Sequence, residues 1–321
     1  MRAIAVEEKD LVLREVPEPV LRDGDLLVEV RAAGVNRADL LQAQGRYPPP
    51  PGEPETMGLE IAGEVLRGGG GFAPGDRVMA LLAGGGYAER ARVPAAQAMR
   101  IPAQLDFAQA AVVPEAFLTA WLNLQMLGGL APGEIVVIHA AASGVGTAAL
   151  QLCRGVASIV LGTASPGKHE AIRALGATHV LARDQVAQGL AEAVRAAAGL
   201  NSRGADLILD LVGGAYLEAN IAALGLHGRL CCLSTLAGSK GTLDLGALLG
   251  KRLTVLGSTV RSRSAAQKAK LVRSFSEQGL ARLESGDLQP VLARTFPLAD
   301  AAQAHAALLN AEVIGKLALV V

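Results

Sequence analysis

Cysteine is scarce in this chain: Cys153, Cys231 and Cys232 are the only three in 321 residues. So few, and an odd number, argue against a disulfide framework and for a reducing compartment. The absence of any cysteine before residue 153 also leaves the first half without the cluster that a structural zinc requires. Net charge is lacking too, since 30 Lys and Arg balance 30 Asp and Glu and the pI is about 7.0. Bulk electrostatics therefore gives no reason to expect nucleic acid or an acidic membrane as partner, and a small neutral or cofactor-borne substrate fits better. At the start, Met1-Arg-Ala-Ile-Ala-Val6 meets Glu7 and Glu8 before a signal-peptide core could form. No run reaches the length of a bilayer span, so the expectation is a soluble, cytoplasmic protein without a membrane partner.

What is present falls into two textures. Residues 1–115 look strand-rich, with Asp25–Arg31 and Glu60–Leu66 as strands and turns at Asp23-Gly24, Pro74–Asp76 and Gly84–Gly86, suggesting a partly open antiparallel barrel. Pro48–Gly52 and Gly68–Gly71 read as an extended loop and a hairpin tip. From Pro114 helices alternate with short apolar strands. Helices are expected at 115–127, 145–154, 168–175, 186–198, 216–224 and near 243–249, with strands at 135–139, 158–162, 179–181, 207–212, 229–234 and 253–259. Apolar rather than alternating strands indicate a parallel sheet covered on both faces, in the doubly wound order of a dinucleotide fold. A helix from Ala265 to about Ser276 and strands at 291–296 and 316–321 follow, and those last strands are candidates to rejoin the first domain. The fold class is thus α/β, with borders at 1–115 and 280–321 for one domain and 116–279 for the other.

The run Ile135–Leu150 is a strand, a turn of small residues and an Ala-rich helix, which aims free backbone N–H groups and a helix N-terminus at whatever lies above. In the G-x-G-x-x-G fingerprint the three positions serve the tight turn, the approach of a pyrophosphate and close helix packing. Here they are Ala141, Ser143 and Gly146, with Gly144 and Val145 between them, so two glycines are replaced. An acid about 20 residues on would hold a ribose 2′-hydroxyl. The strand ends instead in Thr163-Ala-Ser165-Pro-Gly-Lys168. An acid would repel a 2′-phosphate, whereas Lys168 and Ser165 can hold one, which favours NADPH. The alternative is a solvated lysine in the first turn of the next helix.

The runs Gly34–Leu41, Gly45–Pro50, Gly58–Glu64, Val113–Trp121 and His139–Thr147 together resemble the quinone oxidoreductase branch of the medium-chain dehydrogenase/reductase superfamily, nearer its p53-inducible type than its zeta-crystallin type. The likeness continues through Ile208–Gly214 and Arg261–Arg263 to Ile314-Gly-Lys316. It implies a GroES-like β-rich catalytic domain, interrupted by a Rossmann domain, and NADPH-dependent reduction of a quinone. By the same resemblance Asn36 and Leu59 stand where zinc relatives have a Cys and a His ligand, so neither zinc site is expected. Without a Lewis acid, alcohol oxidation is disfavoured, and hydride addition to a conjugated carbonyl needs only a hydrogen bond to the developing oxyanion.

The resemblance sets Asn36 and Tyr47 beside the nicotinamide. The plainer readings are a helix cap for Asn36, since Asn suits the position before Arg37, and packing on the prolines for Tyr47. Thr119, Ser234, Thr235 and the segment from Ser258 to Val260 fall where relatives line the nicotinamide. Ser143 is carried over as a pyrophosphate or nicotinamide contact, Lys316 belongs to the cofactor-side set, and Arg261 falls near the site mouth. Arg183 replaces a Tyr of relatives near the 2′-phosphate; it is either a phosphate ligand or a surface arginine. His139 reads as structural, and Cys231 and Cys232 as small core residues. Seven bases and no acid lie between Leu245 and Ser276, which usually means a solvated face and leaves RNA contact as a minor reading. Enoyl thioester reduction is the sister activity. An NADPH-binding sensor with weak turnover is the alternative class. The resemblance also implies a homodimer through the strand 253–259.

Overall fold

The computed structural model describes residues 1–8, 10–199, 204–310 and 312–321. Two compact units emerge: Met1–Leu118 with Val260–Val321, and Thr119–Thr259. The expected return of the C-terminal strands is realised in the first unit. Its sheet runs in the order Leu292–Pro297, Lys316–Val320, Asp25–Val35, Glu60–Arg67, Arg77–Leu81, Ala98–Arg100, with Arg90–Pro94 also on Asp25–Val35. Burial alternates along Asp25–Leu26–Leu27–Val28–Glu29–Val30, the two-residue period of a strand with one face on a core. That core gathers Leu26, Val28, Val30, Ile61, Val65, Val78, Val93, Leu317 and Leu319.

Register decides which residues meet. Leu317 pairs with Val35 and Ile61 with Ala33, both antiparallel, so Lys316, Asn36 and Glu60 come to one end of three neighbouring strands. The paired strands Arg2–Glu7 and Asp10–Glu15, the helix Arg37–Ala43 and the helix Ala301–Leu309 complete this unit.

The second unit is a six-stranded parallel sheet in the order His179–Ala182, Ile159–Ala164, Ile135–Ile138, Ala205–Asp210, Leu224–Cys232, Thr254–Gly257. The chain order reverses beside Ile135–Ile138, which is where open α/β sheets form a crevice at the strand carboxyl ends. Val136, Val137 and Ile138 are all fully buried, as strands covered on both faces require.

Three expectations change. The second border lies at 259/260 rather than 279/280, because the helix Ala265–Glu284 belongs to the first unit, with Phe275 6.1 Å from Phe117 and Gln104 Nε2 donating to the Leu283 carbonyl at 2.6 Å. That helix also passes Ser276 and runs to Glu284; a Cβ at Gly279 would lie 2.3 Å from the Phe275 ring, so the glycine seats the ring instead of ending the helix. Finally, the 21-residue helical stretch Phe107–Leu127 is long and apolar enough to cross a bilayer, contrary to expectation, but 72% of its apolar 18-residue window is buried, as in a core helix. Its last six residues, Leu122–Leu127, are a π-helix, a rare form that occurs mostly as a single turn inside an α-helix.

The basic stretch 245–276 is only in part a solvated face, with Arg252, Lys270 and Arg273 exposed. Lys251 donates to the carbonyls of Ile221, Ala222 and Leu224, while Arg261 and Lys268 are buried in the first unit.

Candidate active site

In the second unit the turn after Ile135–Ile138 is built as its small residues foretell. Ser143 caps the helix Gly144–Cys153 by accepting from Gly146 N–H at 3.1 Å, which leaves its own hydroxyl proton free to donate. A Cβ on Gly146 would lie 2.4 Å from the Ala140 carbonyl, so only glycine lets helix and strand close up. Ala141 is fully buried, and its N–H is tied to the Thr163 carbonyl at 2.9 Å. Ser143, Gly144 and Val145 remain partly exposed at the helix N-terminus, the arrangement that receives an anion.

Thr163, one residue before the end of the neighbouring strand Ile159–Ala164, turns inward. Its hydroxyl donates to His139 Nδ1 at 3.0 Å, His139 Nε2–H donates to Asn220 Oδ1 at 2.7 Å, and Asn220 Nδ2 donates to Asp210 Oδ2 at 3.1 Å. Burial holds the imidazole below its usual pKa, so this chain carries a neutral, structural histidine.

Past Thr163 the chain reaches Ser165, partly exposed, and Lys168. Ala164 and Ala182 are register partners in adjacent parallel strands, which sets Arg183 alongside. Burial first, and then the Arg183 charge, push the Lys168 ammonium below its usual pKa, so two cations share one corner of the sheet's carboxyl edge. Ser234 and Thr235 lie in the loop after Leu224–Cys232. Thr119 Oγ1 and Ser258 Oγ are buried with no hydrogen-bond partner among the described residues. Buried hydroxyls seldom stay unsatisfied, and these two lie at positions expected to face a cofactor.

Val260 falls in the first unit and is buried. That unit gathers Asn36, Glu60 and Lys316 as its register dictates. The Lys316 ammonium donates to the Val35 carbonyl at 2.8 Å, to Glu60 Oε1 at 2.7 Å and to Asn36 Oδ1. Asn36 Nδ2 donates to Glu60 Oε1 at 3.0 Å, and Glu115 N–H to Glu60 Oε2 at 2.8 Å. The fully buried Glu60 carboxylate is thus paired at both oxygens, and Gly34 makes room for it, since a Cβ there would lie 2.3 Å from Oε1. Asn36 does stand at the helix N-terminus, where Asp39 accepts its backbone N–H at 2.8 Å, while its amide is oriented by Glu60 and Lys316.

Asp39, wholly buried, also accepts from Tyr87 OH at 3.0 Å, and burial lifts its carboxyl to about 6. Burial, then the Glu60 charge, raise Glu115 to about 8.

Tyr47 is partly buried on the loop after the helix Arg37–Ala43. Arg261 lies over its ring, 5.1 Å from the centroid. Among the chain's three tyrosines, Tyr87 donates to Asp39 and Tyr216 to the Arg183 carbonyl at 2.7 Å. Tyr47 OH alone has no partner among the described residues. Glu60, Glu115 and the Arg261 clamp escaped sequence reasoning; the available signal was a glutamate between apolar residues in Gly58-Leu-Glu60-Ile.

Two family models match the chain: an alcohol dehydrogenase GroES-like domain over residues 22–103 and a zinc-binding dehydrogenase over 175–319. A synaptic vesicle membrane protein VAT-1 homolog of Mus musculus is 32% identical over 327 residues, covering 96% of this chain and 79% of its own. The polyketide synthase GfsB of Streptomyces halstedii is 35% identical over 304 residues, covering 94% of this chain; the chain spans only 5% of that synthase. Among solved structures, a mycobacterial protein complexed with NADPH superposes with TM-score 0.88 at 26% identity, covering 100% of both chains. A quinone oxidoreductase of Pseudomonas syringae gives 0.85 at 26%, covering 100% of this chain and 99% of that one. The CurK enoyl reductase gives 0.84 at 26%, covering 99% and 98%. The chain belongs to the medium-chain dehydrogenase/reductase superfamily. Its units are those of an NAD(P)-dependent oxidoreductase.

Zinc, which one family description names, does not fit the residues present. Among the described residues no three His, Cys, Asp or Glu side chains gather as ligands would. Leu59 is apolar and 1% exposed, and Asn36 Oδ1 already faces the Lys316 ammonium. A dinucleotide does fit, on the capped helix N-terminus, the paired cations and the orphaned hydroxyls.

Proposed function

We propose that this chain reduces quinones with NADPH and without zinc, in the quinone oxidoreductase branch of its superfamily, on the p53-inducible side. The observation that carries the reading is the free phenol of Tyr47: a partly buried donor with no protein partner among the described residues, in a chain that pairs its two other tyrosines. NADPH, when bound, supplies the hydride. The N–H groups of Gly144 and Val145 and the Ser143 hydroxyl are the donors for the pyrophosphate, with Gly146, whose N–H is held by Ser143 Oγ, and Ala141 closing the turn beneath them. Ser165, Lys168 and Arg183 receive the 2′-phosphate, and Thr119, Ser234, Thr235 and Ser258 of the second unit line the nicotinamide. Thr163 and Lys316 act beneath the surface, the first through His139 and the second by holding Asn36. Tyr47 OH donates to the acceptor oxygen and stabilises the charge that develops there, while Asn36 orients the acceptor.

Reduction of an enone or enoyl thioester is the second reading, supported by the likeness to an enoyl reductase structure and a polyketide synthase. Both acceptors need the same donor at a developing enolate or phenolate oxygen. A panel of small quinones, enones and a crotonyl thioester, each with NADPH and NADH, separates them. Quinones with NADPH should turn over fastest, and Tyr47→Phe should lower kcat by about a hundredfold at saturating NADPH. Wild-type turnover by Tyr47→Phe rejects the role of the phenol. Negligible turnover of the whole panel, with a salt-dependent RNA shift, would instead favour a sensor.

The reading includes a homodimer and a cytoplasmic setting. Thr254–Gly257 is the terminal strand of its sheet, paired on one side only, and Val255, Leu245 and Leu249 are exposed around it. Cys153 and Cys231 are buried as core residues, whereas Cys232, expected in the core too, is only partly buried; burial pushes the Cys231 and Cys232 thiols up to about 11, away from reactivity.

A further inference from the structure

Arg261 is 4% exposed, yet no carboxylate lies within ion-pair distance of it among the described residues. A buried charge without a counter-ion is costly and persists where its hydrogen bonds hold something in place. Its guanidinium is satisfied by three neutral groups from two stretches of the first unit, one at Ala83 and one running from Gln42 to Tyr47. Nε donates to the Ala83 carbonyl at 2.8 Å, Nη1 to the Tyr47 carbonyl at 3.0 Å, and Nη2 to Gln42 Oε1 at 2.6 Å. Gln42 in turn donates to the Glu55 carbonyl at 2.7 Å. Arginine and glutamine therefore tie down the stretch from Gln42 to Glu55, the polyproline loop with Tyr47 in it. The planar fork matches three acceptors in fixed directions, which a lysine cannot do.

We propose that Arg261 is the positioning residue for Tyr47, fixing its loop through the guanidinium fork and placing a positive charge over the phenol ring. The inference rests on the reading that Tyr47 donates to the acceptor oxygen. The charge has a direction of effect. Burial raises the Tyr47 phenol above its usual pKa, Arg261 opposes that rise, and Glu115 adds to it. Arg261 itself is held below its usual pKa by burial, with Tyr47, Asp39 and Glu115 pulling the other way, and Lys268 is another buried cation, which feels the Arg261 charge. The guanidinium thus keeps the phenol a better donor than its burial alone would leave it. The ring contact, 5.1 Å from the centroid, also favours one ring orientation.

The fork and the charge separate experimentally. Arg261→Met loses both, and Arg261→Lys keeps the charge. With 3-fluorotyrosine in the whole chain, the three tyrosines give three fluorine resonances, assigned with Tyr47→Phe and Tyr216→Phe. Arg261→Met should shift the titration of the Tyr47 resonance upward and leave those of Tyr87 and Tyr216 in place. Arg261→Lys should titrate near wild type but raise the KM for quinone. In turnover, Arg261→Met should lower kcat about tenfold to a hundredfold and add nothing on top of Tyr47→Phe. Free guanidinium should restore part of the loss in Arg261→Gly. An unshifted Tyr47 titration, or losses from Arg261→Met and Tyr47→Phe that multiply, would overturn the proposal. If Arg261→Met does not fold by circular dichroism, Arg261→Lys decides, and a wild-type KM overturns it. Should Tyr47→Phe turn over like wild type, the reading of Tyr47 fails on its own, while the fluorine titration still tests the placement of the charge.

Discussion

Glu115 and Lys168 are the residues whose protons and charges make the sharpest predictions. The Glu115 carboxyl sits at about 8 against an ordinary 4.5, so the folded protein keeps a proton that the unfolded chain has released. Its stabilising contribution is complete below pH 4.5 and is lost as pH rises toward 8, by at most about 1.4 kcal/mol per pH unit. Asp39, at about 6, acts in the same direction over a lower window. His305 acts oppositely: burial holds it at about 4, so its contribution is present above 6.5 and lost on acidification through 4. Urea unfolding between pH 6.5 and 8 should therefore show falling stability, and Glu115→Gln should flatten that fall. At Lys168, Lys168→Ala should raise the KM for NADPH about tenfold, the worth of one charge-assisted hydrogen bond, and leave the KM for NADH unchanged. Steady-state kinetics with both cofactors checks it.

Strand ends rather than helices organise the first unit's chemistry. The pairing of Lys316–Val320 and Glu60–Arg67 with the two edges of Asp25–Val35 delivers a lysine, a glutamate and an asparagine to one place. All three ammonium protons of Lys316 and both oxygens of Glu60 are used there. Removing one partner strands a buried charge, so Lys316→Met should cost about 3–5 kcal/mol of stability, measured by denaturant unfolding. Adding Glu60→Gln should recover much of that loss, because the remaining group is then neutral. The same elements explain what was legible. Alternation along Asp25–Val30 and the apolar run Ile135–Ile138 announced their strands. The paired strands Arg2–Glu7 and Asp10–Glu15 and the helix Ala301–Leu309 were not announced, since their apolar residues gain meaning only when packed on the first unit's core.

At the scale of the molecule the exposed terminal strand Thr254–Gly257 is the feature left to be covered. Val255, 40% exposed, and Leu249, 76% exposed, are apolar groups beside unpaired backbone. If two chains pair there, Val255→Lys should yield a monomer by light scattering, because a charge on the edge opposes strand pairing. An unchanged mass would move the interface elsewhere.

The sequence by itself determined the α/β class, the discontinuous first domain and the small-residue turn after Ile135–Ile138, because each is written in local periodicity or in a short spacing. Tertiary structure decided that the helix Ala265–Glu284 belongs with the first unit, that Thr163 faces His139, and that Asn36 is held between Lys316 and Glu60. It also decided that Arg261 reaches Gln42 and Tyr47 across more than two hundred residues. Such contacts follow from strand register and from which buried donor finds which acceptor, and neither is encoded in the spacing of neighbours along the chain.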